Sequence, residues 1–146
     1  MKKILIVFAS LLLWQCQKDK TPDPRPSDFG EEFVVSKGQT VMLNQNSGNV
    51  DLMVETKDIQ ESRCPSDVVC VWAGFANASL KLSHNGETGN LDLCLGSCSE
   101  KYNVQDTGYI QLAQVNFGVI LKEIAPFPTS QNGNEPKTAV VEVFIK

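Results

Sequence analysis

Between positions 50 and 57 apolar and polar side chains alternate strictly. Val50, Leu52, Val54 and Thr56 take one phase; Asp51, Met53, Glu55 and Lys57 take the other. Successive side chains of an extended chain point to opposite faces, so this segment predicts a half-buried strand. The alternation returns at Ala76, Ala78, Leu80 and Leu82 against Asn77, Ser79, Lys81 and Ser83, and again at Leu91, Leu93 and Leu95. Between those runs stands His84-Asn85-Gly86. Asn-Gly is a strong hairpin signal, because a tight left-handed turn needs positive φ at both residues. Further strand-like runs cover 32–36, 39–45, 68–73, 109–116, 118–125 and 139–145, whereas no window sustains a helical period. Residues 126–138, with three prolines, read as one long loop before the last strand. Cys94 is out of phase with Leu91, Leu93 and Leu95 and so faces away from the core. Cys70 and Trp72 share one face of the 68–73 run, which predicts Trp72 packed on the core beside a disulfide.

The first fifteen residues follow different rules. Met1-Lys2-Lys3 is a basic start, and residues 4–14 form an apolar run of eleven. That run is about half the length needed to span a bilayer, but it suits the core of a signal peptide. It ends in Leu13-Trp14-Gln15-Cys16, which resembles the lipobox of bacterial lipoproteins, although Trp14 and Gln15 are bulkier than usual there. The resemblance implies that residues 1–15 are a lipoprotein signal peptide, that Cys16 is lipidated, and that the mature chain begins there. A plain secretory signal with Cys16 incidental is the alternative. Residues 16–29 carry three prolines and only Phe29 among large apolar side chains, so they predict an extended tether. Gln17-Lys18-Asp19 resembles the export signal of surface lipoproteins in Bacteroidetes. An outer-membrane location follows as an expectation, periplasmic or surface-exposed, with the membrane a partner through the lipid anchor.

Charge narrows the function. The formal net charge is −4, with 13 Lys and Arg against 17 Asp and Glu. Loss of Lys2 and Lys3 with the leader leaves 11 cations and takes the mature charge to −6. An acidic domain without a basic cluster lacks the electrostatic footprint of a nucleic-acid binder.

Five cysteines are an odd number for an exported protein, and lipidation of Cys16 restores an even one. Cys64, Cys70, Cys94 and Cys98 remain, with three connectivities available. Each near pair flanks turn-forming residues, Pro65-Ser66-Asp67 in one and Gly96-Ser97 in the other, which favours Cys64–Cys70 and Cys94–Cys98. A four-thiolate zinc site is the competing reading, but its usual spacing is tighter. We therefore expect no metal and no cofactor.

One segment has family character. Glu61-Ser62-Arg63-Cys64-Pro65, followed by Cys70-Val71-Trp72-Ala73-Gly74, resembles an (Asp/Glu)-Ser-Arg-Cys-Pro…Cys-x-Trp-Ala-Gly motif of bacterial secreted proteins and lipoproteins. Ile124-Ala125-Pro126-Phe127-Pro128 and the terminal strand resemble that family's closing pattern. The resemblance covers most of 39–146 and implies a strand, a cysteine-closed loop and a second strand. It implies no activity. Glu61 stands where Asp is commoner, and the Cys94–Cys98 pair is an addition.

Candidate chemistry is sparse. His84, the only histidine, sits beside a turn and reads as a solvated polar residue rather than a base. Arg63 suits a ligand carboxylate or sugar, and equally an ion pair with Glu61 or Asp67. Trp72, Phe75 and Tyr109 suit a sugar-stacking platform, but aromatic residues in small β domains mostly bury.

These readings converge on an all-β chain. It is a single antiparallel β-sandwich, Ig-like or a partly closed barrel, with eight or nine short strands over residues 30–146. The expected role is a non-enzymatic binding module of the cell envelope, taking a protein or carbohydrate ligand. Its expected surface is loop 61–75 or loop 126–138, with Arg63, Trp72, Phe75 and Phe127 as contacts. The alternatives are a structural envelope protein, and a carboxylate-based glycoside hydrolase or accessory protein acting on polysaccharide.

Overall fold

The computed structural model describes residues 28–45, 50–99 and 101–146. The expected signal peptide, the expected lipidation at Cys16 and the expected tether as far as residue 27 lie outside the described residues. Nine strands follow in order: β1 (Glu32–Ser36), β2 (Thr40–Gln45), β3 (Val50–Glu61), β4 (Phe75–His84), β5 (Glu87–Ser97), β6 (Tyr102–Asn103), β7 (Asp106–Leu112), β8 (Val115–Ala125) and β9 (Thr138–Ile145). They form two antiparallel sheets, one of order β1-β9-β8-β7 and one of order β2-β3-β4-β5-β6. The predicted all-β sandwich is therefore the observed architecture.

Alternation supplies the core. Leu52 and Val54 on β3, with Ala76, Ala78, Leu80 and Leu82 on β4, face Phe117, Val119 and Leu121 on β8 and Val141 and Val143 on β9; all are buried. Two bulges reset the phase. Register shifts between Thr56 and Asp58 on β3, and between Leu121 and Glu123 on β8. An extra residue turns the next side chain to the other face. Ile124 thus points inward after Leu121, three positions on.

The turns follow their chemistry. Asn85 and Gly86 carry φ of 47° and 82° between β4 and β5, as the Asn-Gly signal predicts. The β7–β8 turn uses Ala113 and Gln114 at φ of 45° and 68°. Neither residue favours that region, so the expected division into 109–116 and 118–125 missed the turn. The second strand starts at Val115.

Two further expectations are corrected. Residues 68–73 form no strand, and Trp72 does not pack on the core. The β3–β4 ladder runs on past its strands through Ser62 N to Phe75 O (2.9 Å) and Cys64 N to Ala73 O (2.8 Å). The intervening residues are left at the tip, where no neighbouring strand can pair with them. His84 is not solvated. It continues the inward phase of Leu80 and Leu82 and is buried, with its ring edge-on to Phe117 at 5.4 Å between centroids. Its Nδ1 donates to the Asp51 carbonyl at 2.7 Å, leaving Nε2 to accept from Asn85 Nδ2 at 3.2 Å.

The chain gives the sandwich two distinct poles. Gly30 N bonds Val143 O near the end of β9, so the first described residues join the domain there. The β4–β5 hairpin and the β7–β8 turn share that pole, joined by Ala113 N donating to Glu87 Oε2 at 2.7 Å. The β3–β4 and β8–β9 loops lie at the other pole. A ten-residue strand such as β4 separates the two by roughly 30 Å.

Candidate functional site: the loop pole opposite the tether

Arg63 sits at the centre of this pole. Its Nε reaches both carboxylate oxygens of Glu61 at 2.9 and 3.0 Å, and Nη2 donates to Glu61 Oε2 as well. Both side chains are only 8% exposed. Nη2 also donates to the carbonyl of Ile124 at 2.6 Å, and the guanidinium lies 4.3 Å from the centre of the Phe127 ring. Arg63 follows a strand of one sheet while Ile124 belongs to the other. One side chain therefore clamps the two sheets and supports both loops, using the planar fork that only arginine offers.

Loop 62–74 is braced from several sides. Ser62 Oγ donates to Phe75 O at 2.7 Å, and Cys64–Cys70 closes the tip, with Cα atoms 5.9 Å apart. Gly74, at φ of 70°, passes so close to β3 that a Cβ would lie 2.0 Å from the Ser62 oxygen. Its own carbonyl accepts from Ser97 N at 2.9 Å, tying β5 to the loop base. The glycine of the Trp-Ala-Gly motif is thus fixed by space as well as by conformation.

Loop 126–137 braces itself and its neighbour. Asn132 Oδ1 accepts from Thr129 N at 2.7 Å, and its Nδ2 donates to Phe127 O at 2.9 Å. Pro128 O accepts from Ser66 N at 2.9 Å, and Ser130 donates to Asp67 from its amide at 2.9 Å and from its hydroxyl. The two loops that sequence pattern nominated separately form one composite surface.

That surface is apolar and projecting. Val69 is 101% exposed, Val71 96% and Trp72 76%, with Val68, Phe75 and Phe127 also exposed around them. Tyr102 and Val104 extend it past a shallow cavity of about 170 Å³ that Arg63, Gly96 and Lys122 help to line. Of the twelve exposed large hydrophobic side chains in the described residues, these eight belong to this one pole. Monomeric domains seldom leave such a patch uncovered without a use for it.

The nominated residues fare unevenly. Trp72, Phe75 and Phe127 meet at this pole, with Arg63 beneath them rather than at the surface. Arg63 pairs with Glu61, one of its expected partners; Asp67 goes to Ser130 instead. Tyr109 lies on β7, packs edge-on to Phe144 at 6.3 Å and carries Lys146 over its ring. It belongs to the other sheet, so no Trp72–Phe75–Tyr109 platform exists, and none of the three is in the core. The second disulfide, Cys94–Cys98, forms as expected, with Cα atoms 6.0 Å apart. All four of these sulfurs are used in bridges. Sequence reasoning missed Val69 and Val71; their apolar run looked like a strand, and only the Cys-Pro closure hinted at a loop. Comparison with protein-family models, with curated proteins and with solved structures finds no match.

Two outcomes are expected. Arg63→Ala strands a buried carboxylate and loses about 3–5 kcal/mol in denaturant unfolding, whereas Trp72→Ala stays within about 0.5 kcal/mol. The Ser130 hydroxyl and amide hold the Asp67 carboxyl below its usual value of 3.8. A depressed folded-state value means the contact stabilises fully above the ordinary carboxylate range and is lost as pH falls through the lower, folded value. The protection of the Ser130 amide, its exchange by NMR taken relative to the intrinsic rate at each pH, is therefore lost only as pH falls through that lowered value, and Asp67→Asn removes that pH dependence.

Proposed function

We propose that the chain is a lipid-anchored binding module of the bacterial envelope that engages a protein partner through its loop pole. The carrying observation is the gathering of eight exposed large hydrophobics at the pole opposite the tether. Gly30 joins the domain at the far end, so a chain anchored at Cys16 would enter the domain away from the apolar loops. The acidic mature charge argues against an anionic membrane or nucleic acid as the occupant. Asp67 beside Val68 argues the same way, because inserting the tip into hydrocarbon drags a carboxylate with it. A protein surface tolerates that carboxylate at the rim of an apolar contact.

The alternatives have less support. A carboxylate-based hydrolase needs two carboxyl groups facing each other across a cleft. The cavity beside Arg63 is lined by one carboxylate, Glu123, and the cavity beside Met42 and Met53 by one, Asp51. Both are smaller than ordinary ligand pockets. A sugar platform lacks its row of aromatic rings, since Tyr109 lies elsewhere.

The test uses a photo-crosslinking amino acid placed at Val71 or, at the opposite pole, at Met53, in living cells. Position 71 is expected to yield a discrete crosslinked protein that Trp72→Asp abolishes, with position 53 yielding none. Equal products from both positions, or none from 71, would remove the proposal.

A further inference from the structure

We propose that the outer edge of β2 pairs with β2 of a second copy of this chain. The pairing is antiparallel and centred on Met42, and it runs the two copies' sheets together as one. The inference does not depend on the loop pole, which lies away from this seam.

A sheet edge carries a row of unpaired N–H and C=O groups, and folds usually cover it, shorten it or charge it. The other edges of this sandwich are treated in that way. β6 is two residues long, and the rest of β5 lies against β7. A Cβ on Gly108 would stand 2.7 Å from Leu91, and Cys94 N donates to Asp106 Oδ2 at 2.8 Å across the same gap. On β1, Ser36 N donates to Gln39 Oε1 at 3.0 Å, and Glu32 puts an exposed charge on the strand. Among the described residues β2 has no such cover. Gly38 to Gln45 contains no charged residue and no proline, and the β2–β3 register runs without a bulge. In the opposite sheet β1 packs against β3, one strand in, which leaves β2 outermost on that side.

The phase of the ladder shows which backbone groups are free. Thr56 N donates to Gln39 O at 2.9 Å, and bonded and unbonded pairs alternate along an antiparallel ladder. Val41 and Leu43 therefore bond to β3, whereas Thr40, Met42 and Asn44 turn their N–H and C=O groups outward. Among the described residues no hydrogen bond reaches those outward groups.

The side chains select the occupant. Any extended strand could take the backbone bonds, but a self-complementary contact needs a strand that reads the same when reversed. Thr40-Val41-Met42-Leu43-Asn44 does so, as polar, apolar, Met, apolar, polar. With a twofold axis through Met42, Thr40 falls opposite Asn44 of the second copy and Val41 opposite Leu43. Met42 then exchanges both backbone bonds with Met42 of the second copy, and Thr40 does so with Asn44. Val41 and Leu43 are buried and Met42 is 43% exposed, so the apolar layer continues beneath the seam while the two Met42 side chains meet above it. A slip of one residue sets outward groups against residues already bonded to β3, and a slip of two leaves Thr40 or Asn44 without its partner. No carboxylate meets its like, because Glu55 and Asp51 stand one strand back, behind Thr40 and Asn44. Met53 is also one strand back, with Met42 of its own chain in front of it. Because the paired strands are antiparallel, the two loop poles point away from each other and both stay open.

Single cysteines in the full chain, expressed in cells and treated with a mild oxidant, test the register. Paired Cα atoms at the axis lie about 5.5 Å apart, within reach of a disulfide, so Met42→Cys should give a dimer on a non-reducing gel. Thr40→Cys alone and Asn44→Cys alone should not, since each lies roughly 13 Å from its own copy; the two together should. Wild type in density-matched detergent should sediment as a dimer at about 50 μM. Met42→Lys, which sets two ammonium groups at the axis, should sediment as a monomer with the circular dichroism of wild type. A wild-type monomer at that concentration, equal crosslinking from all three single cysteines, or open-ended filaments would overturn the inference. If Met42→Lys does not fold, the cysteine pattern decides alone.

Discussion

A charged pair taken out of water must be satisfied on every side or it weakens the fold, and the Arg63–Glu61 pair sets that condition at one end of this sandwich. The two carboxylate oxygens occupy the guanidinium fork, the Ile124 carbonyl takes a further donor, and the Phe127 ring covers the face. These partners come from both sheets and from the second loop, so the pair is complete only when the sheets are docked and both loops are in place. The bulge on β8 lies just before Ile124, whose backbone carbonyl accepts from Arg63 Nη2. A buried ion pair of this sort adds little net stability compared with apolar packing, but it discriminates strongly against arrangements that leave either partner alone.

Around that anchor the molecule divides its labour between two poles. One receives the chain at Gly30 and closes with tight turns; the other carries apolar side chains on loops held by a disulfide, a glycine contact and two donors on Asp67. A six-residue disulfide interval constrains the unfolded chain only slightly. Its value lies in fixing the shape of the tip. Exposed apolar side chains on a stiff support can meet a partner without first losing much freedom.

Much of this architecture could be read from the chain. Alternation at Val50–Thr56 and Ala76–Leu82, the Asn85-Gly86 turn and the outward phase of Cys94 are local signals, and each describes an element correctly. Both disulfides follow from turn chemistry in the same way. Errors arose where tertiary context decides. The run from Val68 to Trp72 has strand composition, but the loop ladder leaves it no neighbour to pair with. Ala113-Gln114 makes a left-handed turn without the residues that advertise one. His84 stands next to a turn, yet its phase along β4 carries it inward. Arg63 and the exposed aromatics were singled out by motif; that the first would be buried and support the others requires the second sheet, which no local pattern contains.

The most direct test of the Arg63 fork as the organiser of the pole is native-state amide exchange in Glu61→Gln, compared residue by residue with wild type. An organising fork predicts that the Cys64, Ser66 and Ser130 amides, lying in two separate loops, accelerate together by at least about tenfold, beyond any change at core amides such as Leu80 and Val119. Unchanged exchange at Ser66 and Ser130, or acceleration confined to loop 62–74, would contradict it.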